Sequence, residues 1–367
     1  MKKVLCLIGS MNTGGAETFL MKVYRAIDTT KYQMDFCVNV KEKGYYDDEI
    51  ESRGGRIYRI PSKSENIKEF KKSLTDIIQK EKYEYVFRIT SNCAGFMDLK
   101  IAKKAGAKVC SGRSSNSSDG NSIKAKIVHR LGRWLYGKYV DVKFAPSVLA
   151  AEYTFGKKAY RKGQVELLHN GVDLNVFKFD EEDRKAIREE FNISDEKVLV
   201  GHVGRFMTQK NHSFLIEIFS EIKKQNTNAV LMLVGGNGDL EGQVRAKIAQ
   251  LGLDGSVIFT GVRSDIPKIF SAMDVFVFPS LYEGMPNTVI EAQATGLPCV
   301  IADTITREAD ITGLVQYLPL KDTSEKWASV ALSAISKERK NTKSDFINNK
   351  YDIESVAQEF VRLVFDE

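Results

Sequence analysis

Residues 275–292 read VFVFPSLYEGMPNTVIEA, and the hydrophobic rhythm changes halfway through. The first five residues, from Val275 to Pro279, form a short β-rich apolar run. A loop containing Gly284 follows, and then a helical pattern that Pro286 opens near its first position. Strand, glycine loop and helix in that order make one half of a βαβ unit, and a helix start of this kind presents backbone amides suited to phosphate. Gly284 lets a ligand approach the backbone closely.

The same alternation extends in both directions. On the N-terminal side, strands are expected over 3–9, 34–40, 56–60, 85–90, 108–112, 142–145 and 166–168, with longer helical patterns between them. The second series runs over 198–203, 229–234, 257–260, 275–279, 298–301 and 314–317. Strands alternating with helices predict parallel sheets covered on both faces. Between the two series lies the turn-rich stretch His169-Asn170-Gly171-Val172-Asp173, followed by a charged run from Lys178 to Arg184. The chain of 367 residues is longer than one core usually supports. The expected architecture is therefore α/β with two Rossmann-like domains: residues 1–170, residues 171–350, and a C-terminal helix over 351–367 that packs back on the first domain. Ligands on such sheets bind beyond the carboxyl ends of the strands.

Composition narrows the class. Hydrophobic residues make up 43% and charged residues 28%, ordinary for a folded soluble protein and unlike disordered or fibrous chains. No apolar run reaches the ~20 residues a membrane-spanning helix needs, and Met1-Lys2-Lys3 leads directly into a strand without a signal-peptide pattern. A cytoplasmic location is expected. The cysteines Cys6, Cys37, Cys93, Cys110 and Cys299 stand singly within apolar runs and read as core thiols rather than metal ligands. No bound metal and no cofactor are expected.

Two carboxylates frame the glycine loop. Glu283 precedes the helix and Glu291 lies eight residues later, so their backbones are up to ~12 Å apart at the ~1.5 Å helical rise. Retaining glycosidases hold their carboxyl groups only ~5 to 5.5 Å apart. The longer span suits an extended ligand with hydroxyls at both ends and a diphosphate between, which describes a nucleotide sugar. The plain alternative is a loop glutamate and a surface helix glutamate.

A second strand end, Gly201-His202-Val203-Gly204-Arg205-Phe206-Met207-Thr208-Gln209-Lys210-Asn211, places Arg205 and Lys210 where two cations would neutralise a diphosphate leaving group. Cations at loop tips are otherwise common surface residues. Gly14-Gly15-Ala16-Glu17, after the first strand, reads either as a helix start whose amides meet the donor or as a turn closing a βα unit. None of the glycine-rich turns completes G-x-G-x-x-G, so a dinucleotide-dependent dehydrogenase is disfavoured.

The net charge of +6 conceals a basic segment. From Lys100 to Lys143 there are eleven Lys or Arg against two acids. Within it, residues 122–139 read SIKAKIVHRLGRWLYGKY, with Ile123, Ile127, Leu131 and Trp134 or Leu135 on one helical stripe among basic residues. Such a helix lies on an anionic membrane surface or holds a lipid-linked phosphate; otherwise it is a core helix with a solvated basic face.

Together, EGMPNTVIEA at Glu283 to Ala292, Gly14-Gly15-Ala16-Glu17, Arg205, Lys210 and NGVDLNVF at Asn170 to Phe177 resemble glycosyltransferase family 4. The resemblance implies a GT-B fold with a central cleft and metal-independent hexosyl transfer that retains anomeric configuration. It also implies roles: Glu283 on the donor sugar, Glu291 on the ribose, and Arg205 with Lys210 on the diphosphate. Gly284, Met285, Pro286, Asn287, Thr288 and Val289 would line the phosphate site. Gly14, Gly15 and Ala16 would approach from the N-terminal side, and Val262, with Arg263 and Asp265, belongs to the base-binding loop. Where relatives carry a histidine after the fifth strand this chain has Arg113-Ser114-Ser115-Asn116, so Arg113, Ser115 or Asn116 would face the acceptor or sugar.

The expected activity is transfer from a nucleotide sugar, most simply a UDP-sugar, to a growing polyprenyl-diphosphate-linked glycan of bacterial exopolysaccharide or capsule, at the inner face of the plasma membrane. A nucleotide-sugar 2-epimerase on the same architecture is the enzymatic rival. A nucleic-acid-binding protein using residues 100–143 is the other, and its stretch has few interleaved aromatics, so no nucleic-acid partner is expected.

Overall fold

The computed structural model describes residues 1–115, 123–236, 238–336 and 338–365. The chain forms two compact units, one of Met1–Gly171 together with the C-terminal stretch from Lys350, the other Val172–Asn349.

In the first unit the strands are β1 (Lys2–Leu7), β2 (Tyr32–Val38), β3 (Ile57–Arg59), β4 (Tyr85–Thr90), β5 (Val109–Ser114), β6 (Val142–Ala145) and β7 (Glu166–Leu167). They pair in parallel in the order β3-β2-β1-β4-β5-β6-β7. Successive residues of β1 feed opposite faces: Val4 and Cys6 enter one core cluster, Leu5 and Leu7 the other. That period of two is how a strand covered on both sides reads as an unbroken apolar run.

The C-terminal helix Ile353–Phe365 lies in the first of those clusters. Its Phe360 ring meets Phe87 edge-on at 5.4 Å and Phe19 at 6.4 Å between centroids, so the end of the chain seals the face on which helix Gly15–Ala26 sits. A fully buried phenylalanine of this kind contributes roughly 1.5–3 kcal/mol by burial alone.

The second unit repeats the plan with β8 (Val198–Val203), β9 (Ala229–Val234), β10 (Val257–Gly261), β11 (Val275–Phe278), β12 (Cys299–Ala302) and β13 (Val315–Leu318). All pairs are parallel, in the order β10-β9-β8-β11-β12-β13. Every residue of β9, β11 and β12 is buried. Both sheets have the doubly wound order in which the chain reverses direction of growth between two central strands, β1 and β4 in one unit, β8 and β11 in the other.

The basic amphipathic segment forms the helix Ile123–Tyr136. Its packing corrects the core-helix alternative. The residues turned inward are His129 and Gly132, while Ile123, Ile127, Leu131 and Trp134 are 74%, 54%, 52% and 78% exposed. Gly132 explains the choice of face: a Cβ there would lie 2.4 Å from the Ala94 backbone nitrogen, so only glycine permits this approach and the bulky stripe is left outside.

Candidate active site

Beyond the carboxyl ends of β8 and β11, at the switch point of the second sheet, two loops are joined. Leu281 N–H donates to the Gln209 carbonyl at 2.8 Å, Gln209 Nε2 to the Tyr282 carbonyl at 2.9 Å, and Asn211 Nδ2 to the Pro279 carbonyl at 3.1 Å. Asn211 takes the left-handed conformation, φ 54°, which asparagine tolerates better than most residues. This seam brings together side chains 73 residues apart: Lys210 Nζ donates to Glu283 Oε1 at 2.7 Å. The two side chains are only 16% and 9% exposed. The ammonium also lies 4.5 Å from the centre of the Phe278 ring, whose face attracts a cation.

Neutral groups lie beneath the pair. His202, on β8, is fully buried, and its Nδ1 is 2.9 Å from the Val277 carbonyl. A carbonyl only accepts, so Nδ1 carries the proton. Burial holds His202 well below the usual histidine range, with His212 repelling a second charge. Burial likewise pushes His212 down to about 4, with Lys210 adding to the effect. Two uncharged imidazoles, 4.8 Å apart between ring centres, therefore underlie the cation without competing for Glu283.

The helix Asn287–Ala294 begins one residue later than expected: Pro286 is its N-cap, and no side chain caps it. Val289 and Ile290 N–H bond back to the Pro286 carbonyl, so an anion here would be met by amides ahead of Val289. Glu291 is half-buried on the second turn of this helix. Arg205 is exposed and makes no ion pair among the described residues. Val262 is 71% exposed, whereas Arg263 is committed to Glu190 at 2.6 Å and Asp265 at 2.7 Å.

In the first unit, Gly14 is the N-cap of helix Gly15–Ala26, and Gly15 and Ala16 open its first turn. The Glu17 carboxylate folds back over Gly14, where it would collide with any Cβ; the helix start already holds a negative group of its own. Arg113 is enclosed, 2% exposed. Its Nη2 donates to the Leu168 carbonyl at 3.0 Å and to Asn170 Oδ1 at 2.7 Å, and its guanidinium lies 3.8 Å from the centre of the Phe19 ring. Burial without a carboxylate partner pushes its pKa down to about 9. Arg113 thus ties β5 to the end of the first unit and does not present itself to a sugar. Ser115 is exposed, and Asn116 lies outside the described residues.

Sequence reasoning missed Gln209, Asn211, Phe278 and the two buried histidines. The only local sign was an asparagine directly before a helix. The seam is made mainly by backbone carbonyls, which no residue pattern marks.

Two doubly wound parallel sheets in one chain are the plan of the GT-B fold. The family described as Glycosyl transferases group 1 matches residues 183–351. The putative glycosyltransferase EpsF of Bacillus subtilis is 35% identical over 94% of this chain and 90% of its own length. An Escherichia coli UDP-Gal:alpha-D-GlcNAc-diphosphoundecaprenol alpha-1,3-galactosyltransferase is 29% identical over 74% of this chain and 72% of its own. Among solved structures, Anabaena Alr3699/HepE in complex with UDP and glucose shares the fold with a TM-score of 0.71 at 20% identity, over 100% of this chain and 96% of that one. The chain belongs to the group 1 glycosyl transferases, the family its motifs resemble as glycosyltransferase family 4.

Proposed function

We propose that this protein transfers a hexose from a UDP-sugar to a lipid-linked glycan in the synthesis of a bacterial surface polysaccharide, with retention of configuration and without a bound metal. The observation that carries the reading is the Lys210–Glu283 pair, set at the switch point between the exposed cation Arg205 and an uncapped helix start. An ammonium has three N–H donors and Glu283 takes one, leaving others for a phosphate oxygen. With the Lys210 and Glu283 charges cancelling, Arg205 and the helix amides supply the net positive field toward a diphosphate.

In this reading Glu283 contacts the donor sugar, Glu291 the ribose hydroxyls, and the amides of Gly284, Met285 and Thr288 the phosphates, with Val262 against the base. The acceptor oxygen bonds to the anomeric carbon on the face the diphosphate leaves. The bond from that carbon to the phosphate oxygen breaks, and the departing phosphate takes the hydroxyl proton. Arg205 and Lys210 stabilise the charge that develops on it.

A UDP donor and an undecaprenol-linked acceptor are consistent with the relatives' substrates. The exposed row of helix Ile123–Tyr136, beside exposed Lys124, Lys126 and Arg130, supports contact with an anionic leaflet at the cytoplasmic face. No helix among the described residues is long and apolar enough to cross a membrane.

The test is a thermal-shift series with UDP, GDP and ADP on the protein and on Glu291→Ala. Selective stabilisation by UDP, lost in the variant, is the expected result. Equal response of both proteins, or none at millimolar nucleotide, overturns the donor assignment.

A further inference from the structure

The second unit contains a cavity of about 480 Å³ that shares no lining residue with the donor loops. It lies where the chain enters and leaves this unit, with residues 174–179 on one wall, 339–343 on the other, and Ala294 and Thr295 completing it. Four lining side chains, Lys178, Arg339, Lys340 and Lys343, are cationic, and none is acidic. Among the described residues only Lys340 of these has a carboxylate partner, Asp345 at 2.9 Å. The ammonium groups of Lys178 and Lys343 pair with nothing among the described residues.

Arg339 is the anomalous member. Its Nη2 donates to the carbonyls of Phe270 at 3.2 Å, Ser271 at 3.4 Å and Met273, capping the end of helix Ile266–Ala272. Its Nη1 is buried with no partner among the described residues. Asp274, the carboxylate that acts on it, is divided between Arg184 at 2.8 Å and Arg188 at 3.0 Å. Burial first, and then Arg184, push the guanidinium down to about 10. Helix capping accounts for Nη2. The buried Nη1 is out of reach of solvent and of any ligand in the cavity, and the Phe179 ring, with its centre 5.2 Å from the guanidinium carbon, lies against the group, so Arg339 adds to the cavity its positive charge and not a free donor.

The walls are set before any ligand arrives. Thr342 Oγ1 donates to the Ala294 carbonyl at 3.1 Å. Gly296, at φ +69°, lies so close to residue 340 that a Cβ would sit 2.3 Å from the Lys340 carbonyl oxygen. We propose that this cavity binds a small phosphate ester, its phosphate held by the ammonium groups of Lys178 and Lys343 in the positive field of Arg339, and its hydroxyls by Asn175 and Asn341. Ammonium groups bind phosphate as point charges, and a cavity of this size suits a small metabolite. Binding would tie together the two segments through which the chain passes between its units. The inference stands apart from the donor-site reading, because no residue is common to both.

The experiment is isothermal titration of the full chain, at constant ionic strength, with inorganic pyrophosphate and with a hexose 6-phosphate. It compares wild type, Arg205→Ala and Lys178→Glu/Lys343→Glu; both lysines are exposed, so folding is preserved. Expected is binding by wild type and Arg205→Ala and at least about tenfold weaker binding by the lysine variant, with the ester bound more tightly than pyrophosphate. Binding lost in Arg205→Ala but retained in the lysine variant would place the anion at the other loop and overturn the proposal. So would absence of binding to wild type at millimolar ligand, or a preference for pyrophosphate, which would leave the polar walls without a role.

Discussion

Removing one partner of the Lys210–Glu283 pair should cost different amounts depending on which is removed. Lys210→Met leaves a carboxylate that is 9% exposed and has no second partner among the described residues. Breaking a buried pair in this way costs about 3–5 kcal/mol, and the residual exposure places this case at the lower end, about 3 kcal/mol. Glu283→Gln leaves the ammonium over the Phe278 ring at 4.5 Å, a contact worth about 0.5–2 kcal/mol, so the loss should be nearer 1–2 kcal/mol. For a unit of this size 1 kcal/mol moves Tm by about 2–4 °C. Lys210→Met should therefore lower it by roughly 6–12 °C and Glu283→Gln by roughly 2–8 °C. The double variant Lys210→Met/Glu283→Gln buries no unpaired charge and should recover much of the loss while remaining inactive. Differential scanning fluorimetry with urea midpoints measures all three. Additive losses in the double variant, or equal losses in the singles, would refute the coupling and the asymmetry.

Arg205 is exposed and has no ion pair among the described residues, so Arg205→Ala should leave Tm nearly unchanged. Losing a charged hydrogen bond of about 1.5–3 kcal/mol should lower kcat/KM for transfer roughly ten- to hundredfold, read with a radiolabelled donor. Phe360→Ala empties a fully buried position between Phe87 and Phe19 and should cost about 3–5 kcal/mol in chemical denaturation. Trp134→Glu should abolish sedimentation with anionic vesicles and leave neutral-vesicle background and Tm unchanged; wild-type binding should weaken with salt, at about 1 kcal/mol for each of three exposed cations.

Acid sensitivity should come partly from the buried histidines. Their folded-state pKa values lie below the unfolded value near 6.5, so below pH 6.5 the unfolded chain takes up protons that the native state refuses. Stability is fully present above about 6.5 and falls as pH drops toward about 4. Each histidine contributes up to about 1.4 kcal/mol per pH unit in that window. His212→Phe should flatten the dependence of the urea midpoint between pH 6.5 and 4.5; an unchanged slope would refute the assignment.

The alternation of apolar runs and helical patterns was enough to find every strand of both sheets within two residues at each end, because strand period and helix period are local properties. The helix start after Gly284 was legible for the same reason: strand, Gly284, Pro286 and helix follow one another along the chain. Even the stripe of Ile123, Ile127, Leu131 and Trp134 could be read, since it is one helix face.

What lay beyond local pattern was decided by the order of strands in space. Lys210 meets Glu283 because β8 and β11 are neighbours, with β9 and β10 wound to the other side, and no spacing of residues along the chain states that. Packing also decided which face of Ile123–Tyr136 turns inward, through a close approach at Gly132. Arg113 was enclosed by Phe19, Leu168 and Asn170, which are distant from it along the chain. The cationic cavity joins residues 174–179 to 339–343 across more than 150 positions. Sequence by itself determines what each segment can form. The tertiary structure determines which charges are left facing one another, because burial and electrostatic pairing depend on distance in space and not along the chain.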